Sequence, residues 1–288
     1  MSAAPHRVKA TFWLLEAPDS LVAQSHREPD GTGLGYYDAD GTPHADRQPL
    51  AAYADRAFAH EAREISSATF VAHIRYASTG GLTPQNTHPF EQHGRLLAHN
   101  GVIEDLPALE AELGSYRELV HGDTDSERFF ALVTRETDRN DGDVGAGLTA
   151  AARWVARSLP LYALNVVLAT REELWALRYP ETHELHVLSR AAGGTSGARR
   201  LEHASAAGTR VRSIELATLP AVVIASEPMD EDPGWRALAC GELLHVDRHL
   251  RVSSRIIIDG PPRHPLALAD LAPAAAASQG AHRTGPIG

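Results

Sequence analysis

The chain has 288 residues, a formal net charge of −10 and a single cysteine, Cys240. A negative charge of this size disfavours general binding to nucleic acid or to anionic lipid, and one cysteine excludes an internal disulfide. No run approaches the roughly 18 apolar residues of a membrane helix, and the N-terminus lacks the apolar core of a secretory signal. These features predict a cytoplasmic protein that does not associate with membranes or nucleic acid.

The first half of the chain alternates short strands and helices with long polar loops. Apolar and then helix-like residues fill 11–24, where Asp19 or Ser20 can serve as an N-cap. Alternating apolar residues predict strands over 33–38, 69–77 and 95–101, with a long polar loop over 78–90. Three helices are predicted: one over 102–114 that ends at Gly114, one that begins at about residue 126, and one over 146–157.

Strands dominate the second half, in segments spaced by about ten residues with turn signals between them. They are predicted over 163–170, 173–179, 184–189, 221–228, 242–247 and 253–259. This spacing favours antiparallel sheets, and the clustered helices make the predicted class α+β. A loop is predicted over 191–210. Residues 1–260 are expected to form one domain, and 261–288, rich in Pro, Ala and Gly, a partly disordered tail.

Five polar segments follow one another over about 100 residues, and each taken alone reads as a solvated turn. They are REPDGTGLGYY, HIRYASTGG, NTHPF, AHNGVIEDL and GDTDSERF. Together and in this order they resemble the class II glutamine amidotransferases, which are N-terminal nucleophile hydrolases, and in particular their small stand-alone branch. The resemblance runs from about residue 17 to about residue 260. It implies a four-layer αββα sandwich with two stacked antiparallel sheets, and hydrolysis of a γ-glutamyl amide.

The resemblance also assigns the substrate-binding residues. Asn100, through its side-chain amide, and Gly101, through its backbone N–H, match the family's oxyanion hole, which stabilises the charge that develops on the attacked carbonyl. Arg75 stands where the family places the arginine that binds the α-carboxylate of the substrate, and a guanidinium suits that group because it binds carboxylates bidentately. Asp125 matches the carboxylate that pairs with the α-ammonium.

Three further residues are expected to contact or support the same end of the substrate. Ser78 and Thr79 match loop positions next to the family's arginine, and His88 stands at the histidine of its NTHPF motif. His88 is equally well explained as a structural loop histidine. Asp30 and Gly31 are better explained as an ordinary turn than as pocket residues.

The family's nucleophile is an N-terminal cysteine, whereas this chain begins MSAAPHRV and shows no apolar strand after Ser2. Three explanations stand open. The favoured one is that Met1 is an internal methionine and that the cysteine lies upstream; the others are that catalysis has been lost, or that Ser2 is the nucleophile. Cys240 is expected to be an ordinary structural cysteine.

Two other classes of function compete with the enzyme. Sixteen histidines suggest a metalloprotein, but no HExxH or similar motif supports one. A catalytically inactive module that binds glutamine or a γ-glutamyl compound is the stronger alternative. The resemblance implies no cofactor and no metal. Because the domain leaves no room for a synthase, either ammonia passes to a partner protein or water is the final acceptor, and a stand-alone γ-glutamyl amidohydrolase is favoured.

Overall fold

The computed structural model describes residues 1–78, 80–192, 201–204, 210–213 and 218–281. Its α-helices are α1 Leu21–Gln24, α2 Arg56–Glu64, α3 Leu106–Leu113, α4 Asp125–Arg139, α5 Val144–Ser158 and α6 Pro273–Ala281. A π-helix spans Phe12–Glu16, and 3-10 helices span Pro84–Asn86, Gly114–Leu119 and Leu268–Asp270.

The strands of the first half are β1 Gly31–Tyr37, β2 Pro43–Gln48, β3 Phe70–Arg75, β4 Phe90–Gln92 and β5 Arg95–Ile103. Those of the second half are β6 Pro160–Ala169, β7 Leu174–Arg178, β8 His186–Arg190, β9 Leu201–Ala204, β10 Arg210–Ser213, β11 Ala221–Ala225, β12 Arg236–Ala237, β13 Glu242–Val246, β14 Val252–Ile256 and β15 His264–Pro265. At the predicted loop, β9 and β10 pair as a hairpin, whereas 193–200 and 205–209 lie outside the described residues.

The first residues of the chain join two groups of three strands into one sheet. The groups have the orders β2-β1-β3 and β11-β8-β12. Ser2 bridges Thr69 on one side and Val222 on the other, and it exchanges two hydrogen bonds of 2.8 Å with Val222. The sequence predicts no strand here because the segment is not apolar. No strand is assigned to residues 1–3, in agreement with that expectation. Ser2 nevertheless makes an isolated bridge to each group, because backbone groups alone form these bonds and its small side chain fits the buried position.

The second sheet has the order β14-β13-β7-β6-β5-β4, with β15 added in parallel to β6. Its long central pair is β5 with β6, which are antiparallel from Leu96 opposite Ala169 to Ile103 opposite Leu161. Because β5 lies between β4 and β6, most of its side chains are buried. The HNG segment therefore lies within a central strand rather than in a loop.

The two sheets stack between two helical layers. One apolar cluster packs the π-helix and α2 against β1, β3 and β11, and another packs α3, α4 and α5 against β5, β6, β7 and β13. A third cluster, with Val71 and Val222 of the first sheet and Leu96 and Leu244 of the second, fills the space between the sheets. This arrangement confirms the predicted α+β class and its four-layer αββα sandwich.

Local signals place several helix ends correctly. Ser20 caps α1 by accepting a hydrogen bond from the Ala23 N–H at 3.3 Å, and α3 ends at Gly114, whose positive φ of 59° suits glycine. The sequence prediction missed β2 and α2. Within 11–24, the helix expected after Ser20 is the short α1, and the apolar part before it forms a π-helix that was not predicted.

The C-terminal segment, where the sequence predicts a partly disordered tail, contains β15, a 3-10 helix and α6 in its described part, residues 261–281. Leu271 and Ala275 pack against Val102, Tyr162 and Ala163 of the second sheet. Nothing among the described helices is both long enough and apolar enough to cross a membrane.

Tyr37 provides a test of how the sheets are joined. Its buried hydroxyl, on β1 of the first sheet, donates to the carbonyl of Ala169 on β6 of the second at 2.9 Å and lies 3.2 Å from that of Gly94. We expect Tyr37→Phe to lower the free energy of unfolding by about 1–3 kcal/mol, because the Ala169 carbonyl loses its donor. The control Tyr53→Phe, at a half-exposed site, should change it little; equal effects in urea denaturation would contradict this role.

Candidate active site

Six of the seven residues expected at the site line one cavity, here called the polar cavity, with an empty volume of about 460 Å³. They are Arg75, Ser78, His88, Asn100, Gly101 and Asp125. The seventh, Thr79, lies outside the described residues. These residues come from β3, β5, α4 and the loops between them, so the fold brings separate segments of the chain together at one place.

Arg75 ends β3 and is 5% exposed. Its guanidinium donates to the carbonyl oxygens of Gly81 at 3.2 Å and Gly80 at 3.4 Å, which fixes it against the following loop. Burial lowers the pKa of Arg75 from its ordinary value, and the negative charges of Asp30 and Asp125 oppose that shift. An arginine held by desolvating surroundings gains more from a bound carboxylate than one in open water.

Asp125 is the first residue of α4, where the helix dipole favours a negative charge. One carboxylate oxygen accepts from the Ile103 N–H at 2.8 Å, and the other from the Ser126 N–H at 2.9 Å. The hydrogen bond from Ile103 ties the start of α4 to the end of β5. Asp125 is therefore a fixed negative charge on the wall of the polar cavity, suited to an ammonium group.

Asn100 and Gly101 lie in the middle of β5, opposite Asn165 and Leu164 of β6. A Cβ atom on Gly101 would lie 1.9 Å from the carbonyl oxygen of Ala163, so the strand can approach β6 this closely only with glycine at this position. The close approach fixes the peptide N–H of Gly101 and the side chain of Asn100 on one rigid strand. Preorganised donors of this kind are what an oxyanion requires.

His99 precedes Asn100, is buried, and is held at both ring nitrogens. Its Nε2 lies 3.3 Å from the Ala163 carbonyl, which can only accept, so Nε2 donates. Nδ1 then accepts from the Ser126 hydroxyl at 2.9 Å. Burial lowers the pKa of His99, with the charge of Asp125 opposing the shift. A neutral His99 thus connects β5 to β6 and to α4 directly beneath the expected oxyanion hole.

His88 lies in the same wall, 6% exposed, with its ring 4.3 Å from that of His73. Neither of its ring nitrogens has a hydrogen-bond partner among the described protein atoms. Burial holds the pKa of His88 well below its ordinary value, aided by His73 and His99. The imidazole is therefore neutral near pH 7.

Asp30 fixes the loop that follows Arg75, because its carboxylate accepts a hydrogen bond from the Ala77 N–H at 2.9 Å.

Glu28 separates the polar cavity from a second, larger cavity and lines both. It is 8% exposed, and burial, together with the nearby charge of Glu227, raises its pKa to about 8. The Glu28 carboxyl is therefore mostly protonated at pH 7. Sequence reasoning missed this residue because an REPDG segment reads as a turn.

The second cavity, here called the strand groove, continues the line of residues 1–3 between β3 and β11. Met1 closes one end, and the groove runs beside Ala72, Ile74, Val223 and Ile224 to His99 and Asn100, with an empty volume of about 1080 Å³. On their far sides β3 already pairs with β1, and β11 with β8. The groove thus has the position of a strand that would complete the middle of the first sheet.

The N-terminal residues themselves face away from the polar cavity. The Met1 amino group donates to the Phe70 carbonyl at 2.8 Å, and burial lowers its pKa to about 5. Ser2 is fully buried and lines neither cavity; its hydroxyl lies 3.3 Å from the Ala4 N–H. These contacts give Ser2 no access to a ligand bound at Asn100.

Cys240 lines neither the polar cavity nor the strand groove, and burial raises the pKa of its thiol, which disfavours the thiolate. It packs at the edge of the apolar cluster beneath α5. Across the described part of the chain, no three or more His, Cys, Asp or Glu side chains are grouped so that they could hold a metal ion.

Comparison with known proteins gives a family match over most of the chain. The family model for class II glutamine amidotransferases matches residues 18–258. The chain belongs to this family. The resemblance that the five motifs suggest is thereby confirmed, and with it a fold of the N-terminal nucleophile hydrolase type.

Relatives of this glutamine amidotransferase domain differ in how much of it they share. The γ-glutamyl-hercynylcysteine sulfoxide hydrolase of Mycolicibacterium smegmatis is 27% identical over 254 residues, covering 83% of this chain and 92% of its own. A glutamine–fructose-6-phosphate aminotransferase of Wigglesworthia glossinidia brevipalpis is 36% identical over 91 residues, but these are only 32% of this chain and 14% of that protein. The similarity to the aminotransferase is thus confined to a small part of it.

Solved structures show the same fold at lower identity. A glutamine aminotransferase class-II domain protein from Silicibacter pomeroyi superposes with a TM-score of 0.54 and 22% identity, over 78% of this chain and 90% of its own. A glutamine phosphoribosylpyrophosphate amidotransferase from B. subtilis gives a TM-score of 0.58 and 17% identity, over 84% and 46%. At these identities the likeness concerns the fold alone.

Glu28 predicts a defined pH dependence of stability. In the unfolded state the Glu28 carboxyl loses its proton near pH 4.5, as an ordinary glutamate does, whereas the folded state keeps it up to about pH 8. Stability therefore falls as pH rises between these values, because the folded state then binds more protons than the unfolded state. Glu28→Gln removes this loss. The difference in the free energy of unfolding between the variant and the original protein should therefore be more favourable to the variant at pH 8 than at pH 5, by on the order of 3 kcal/mol.

Urea denaturation at the two pH values measures this difference. The exposed Glu118→Gln is the matched control and should show no such pH dependence. If Glu28→Gln changed the free energy of unfolding by the same amount at pH 5 and at pH 8, Glu28 would be ionised in the folded state and the prediction would be wrong.

Proposed function

We propose that this protein is a stand-alone amidohydrolase that cleaves the γ-glutamyl amide bond of glutamine or of a small γ-glutamyl compound. The observation that supports this most strongly is the polar cavity, where Arg75, Asp125, Asn100 and Gly101 meet although the chain separates them by up to 50 positions. A γ-glutamyl group carries a carboxylate, an ammonium and a carbonyl on one short chain. The cavity offers a complementary group for each.

In the proposed complex Arg75 binds the α-carboxylate and Asp125 the α-ammonium, while the amide carbonyl points at Asn100 and Gly101. A thiolate attacks the carbonyl carbon, and the Asn100 amide and the Gly101 N–H stabilise the oxyanion. Collapse of the tetrahedral intermediate breaks the C–N bond, and the leaving amine takes a proton. Water then hydrolyses the thioester and releases glutamate. If a synthase partner exists, it would receive the ammonia.

The nucleophile is proposed to lie on a strand that occupies the strand groove. This groove ends at His99 and Asn100 and lies in line with residues 1–3, so a few extended residues preceding Met1 would reach the oxyanion hole. A cysteine at the start of such a strand would use its own α-amino group as the base. The groove supports the explanation that Met1 is an internal methionine, in preference to Ser2 as the nucleophile.

The alternative is a module that binds γ-glutamyl compounds without turnover. The observation in its favour is the position of Ser2, which is buried outside both cavities, with the Met1 amino group bonded to Phe70. Binding needs only the charged clamp formed by Arg75 and Asp125, whereas turnover needs a nucleophile. Measurements of binding and of ammonia release therefore separate the two functions.

The clamp is tested by Arg75→Ala. We expect the affinity for L-glutamine to fall by about 2–5 kcal/mol, because the substitution removes one partner of a shielded charge pair. Isothermal titration measures the loss, with the exposed Arg63→Ala as a control that should bind normally. If Arg75→Ala bound glutamine as well as the original protein, the assigned substrate residues would be wrong.

The nucleophile is tested by ammonia release from glutamine. The chain that begins at Met1 should release no more ammonia than buffer, and Ser2→Ala should change nothing. A chain extended by the codons upstream of Met1 should show turnover that is lost when its cysteine, expected within about ten residues, is replaced by alanine. Turnover by the chain from Met1 that Ser2→Ala abolishes would instead make Ser2 the nucleophile. Absence of an upstream cysteine would favour the binding module.

A further inference from the structure

Helix α6 forms part of the wall of the polar cavity, although the match to the family model ends at residue 258. Ser278 and Gln279, one turn before the end of the helix, line the cavity together with Arg75 and Asp125. Both side chains are almost fully buried, at 3% and 4% exposed. Polar side chains at such depth need partners or a ligand, since burying them unsatisfied is costly.

The position of α6 along β5 shows which end of the cavity it covers. His99 and Asn100 line the junction with the strand groove, where the scissile carbonyl would lie. Farther along the strand, Val102 packs against α6, and the Ile103 N–H holds Asp125. Helix α6 therefore packs beside the last residues of β5, between the expected oxyanion hole and the N–H that holds Asp125.

The amide of Gln279 is fixed in one orientation. Its Oε1 lies 2.7 Å from Nε2 of His183, and its Nε2 donates to the Ser278 hydroxyl at 3.1 Å. The Ser278 hydroxyl in turn donates to the Ala275 carbonyl at 2.9 Å. An amide nitrogen carries two hydrogens, and the described residues offer an acceptor for only one of them, so the second N–H of Gln279 can serve a group in the cavity.

We propose that Gln279 is a specificity-determining residue whose second N–H donates to the α-carboxylate of the γ-glutamyl ligand, beside Arg75. This inference rests on the proposed function and adds a residue from a segment outside the family match. A donor held in place by neighbouring groups loses little entropy on binding, and a buried donor left without its acceptor opposes ligands that lack the carboxylate. Helix α6 would thus help to select compounds with an unmodified α-carboxylate.

The experiment compares three ligands by titration. L-Glutamine has both the α-carboxylate and the α-ammonium, glutaramate has only the carboxylate, and 4-aminobutanamide has only the ammonium. In Gln279→Met, which keeps the side-chain volume but has no N–H, we expect about tenfold weaker binding of L-glutamine and glutaramate. Binding of 4-aminobutanamide should stay within about twofold. Gln279→Ala, as a second variant, should show the same pattern.

Ala277→Ser, at the exposed face of the same helix, is the control and should bind all three ligands normally. Equal losses for the three ligands would show that Gln279 only supports the fold, and unchanged binding would show that it does not contact the carboxylate; either result overturns the inference. If the original protein binds L-glutamine and the Gln279 variants keep the original preference, the proposed function stands without this residue. If the original protein binds no L-glutamine, the proposed function itself fails, and this inference fails with it.

Discussion

The close pairing of β5 with β6 is the constraint on which the rest of the site depends. Gly101 allows β5 to approach the Ala163 carbonyl to a distance that no other residue permits, and His99 donates to that same carbonyl. Two residues farther along, the Ile103 N–H holds Asp125 at the start of α4. One strand therefore sets the positions of the proposed oxyanion donors and of one half of the proposed charged clamp, and its rigidity would preorganise them.

The electrostatics of the polar cavity favour a ligand that carries both charges. Burial keeps His88 and His99 neutral, and it raises the pKa of Glu28 to about 8, so these groups add little charge near pH 7. Arg75 and Asp125 remain as a positive and a negative charge in partly desolvated surroundings. A zwitterion such as the glutamyl group can pair with both charges, whereas a ligand with one charge pairs with only one of them.

Sequence reasoning predicted the residues of the candidate site that short motifs encode. Arg75, Asn100 and Asp125 lie in segments whose order along the chain is distinctive, and the fold brings them to one cavity. It did not single out Glu28, because the REPDG segment reads as a turn, and it could not find Gln279, because the proximity of that residue to the site results from packing between distant segments. The pairing of Ser2 with Thr69 and Val222 was missed for the same reason, since it uses backbone groups that every sequence has.

A crystal structure of the protein with L-glutamine bound would test the central claim most directly. The account predicts glutamine in the polar cavity, with its α-carboxylate on the Arg75 guanidinium, its α-ammonium on the Asp125 carboxylate, and its amide oxygen at the Asn100 side chain and the Gly101 N–H. Glutamine bound in the reverse direction, or at a site away from Arg75 and Asp125, would contradict it.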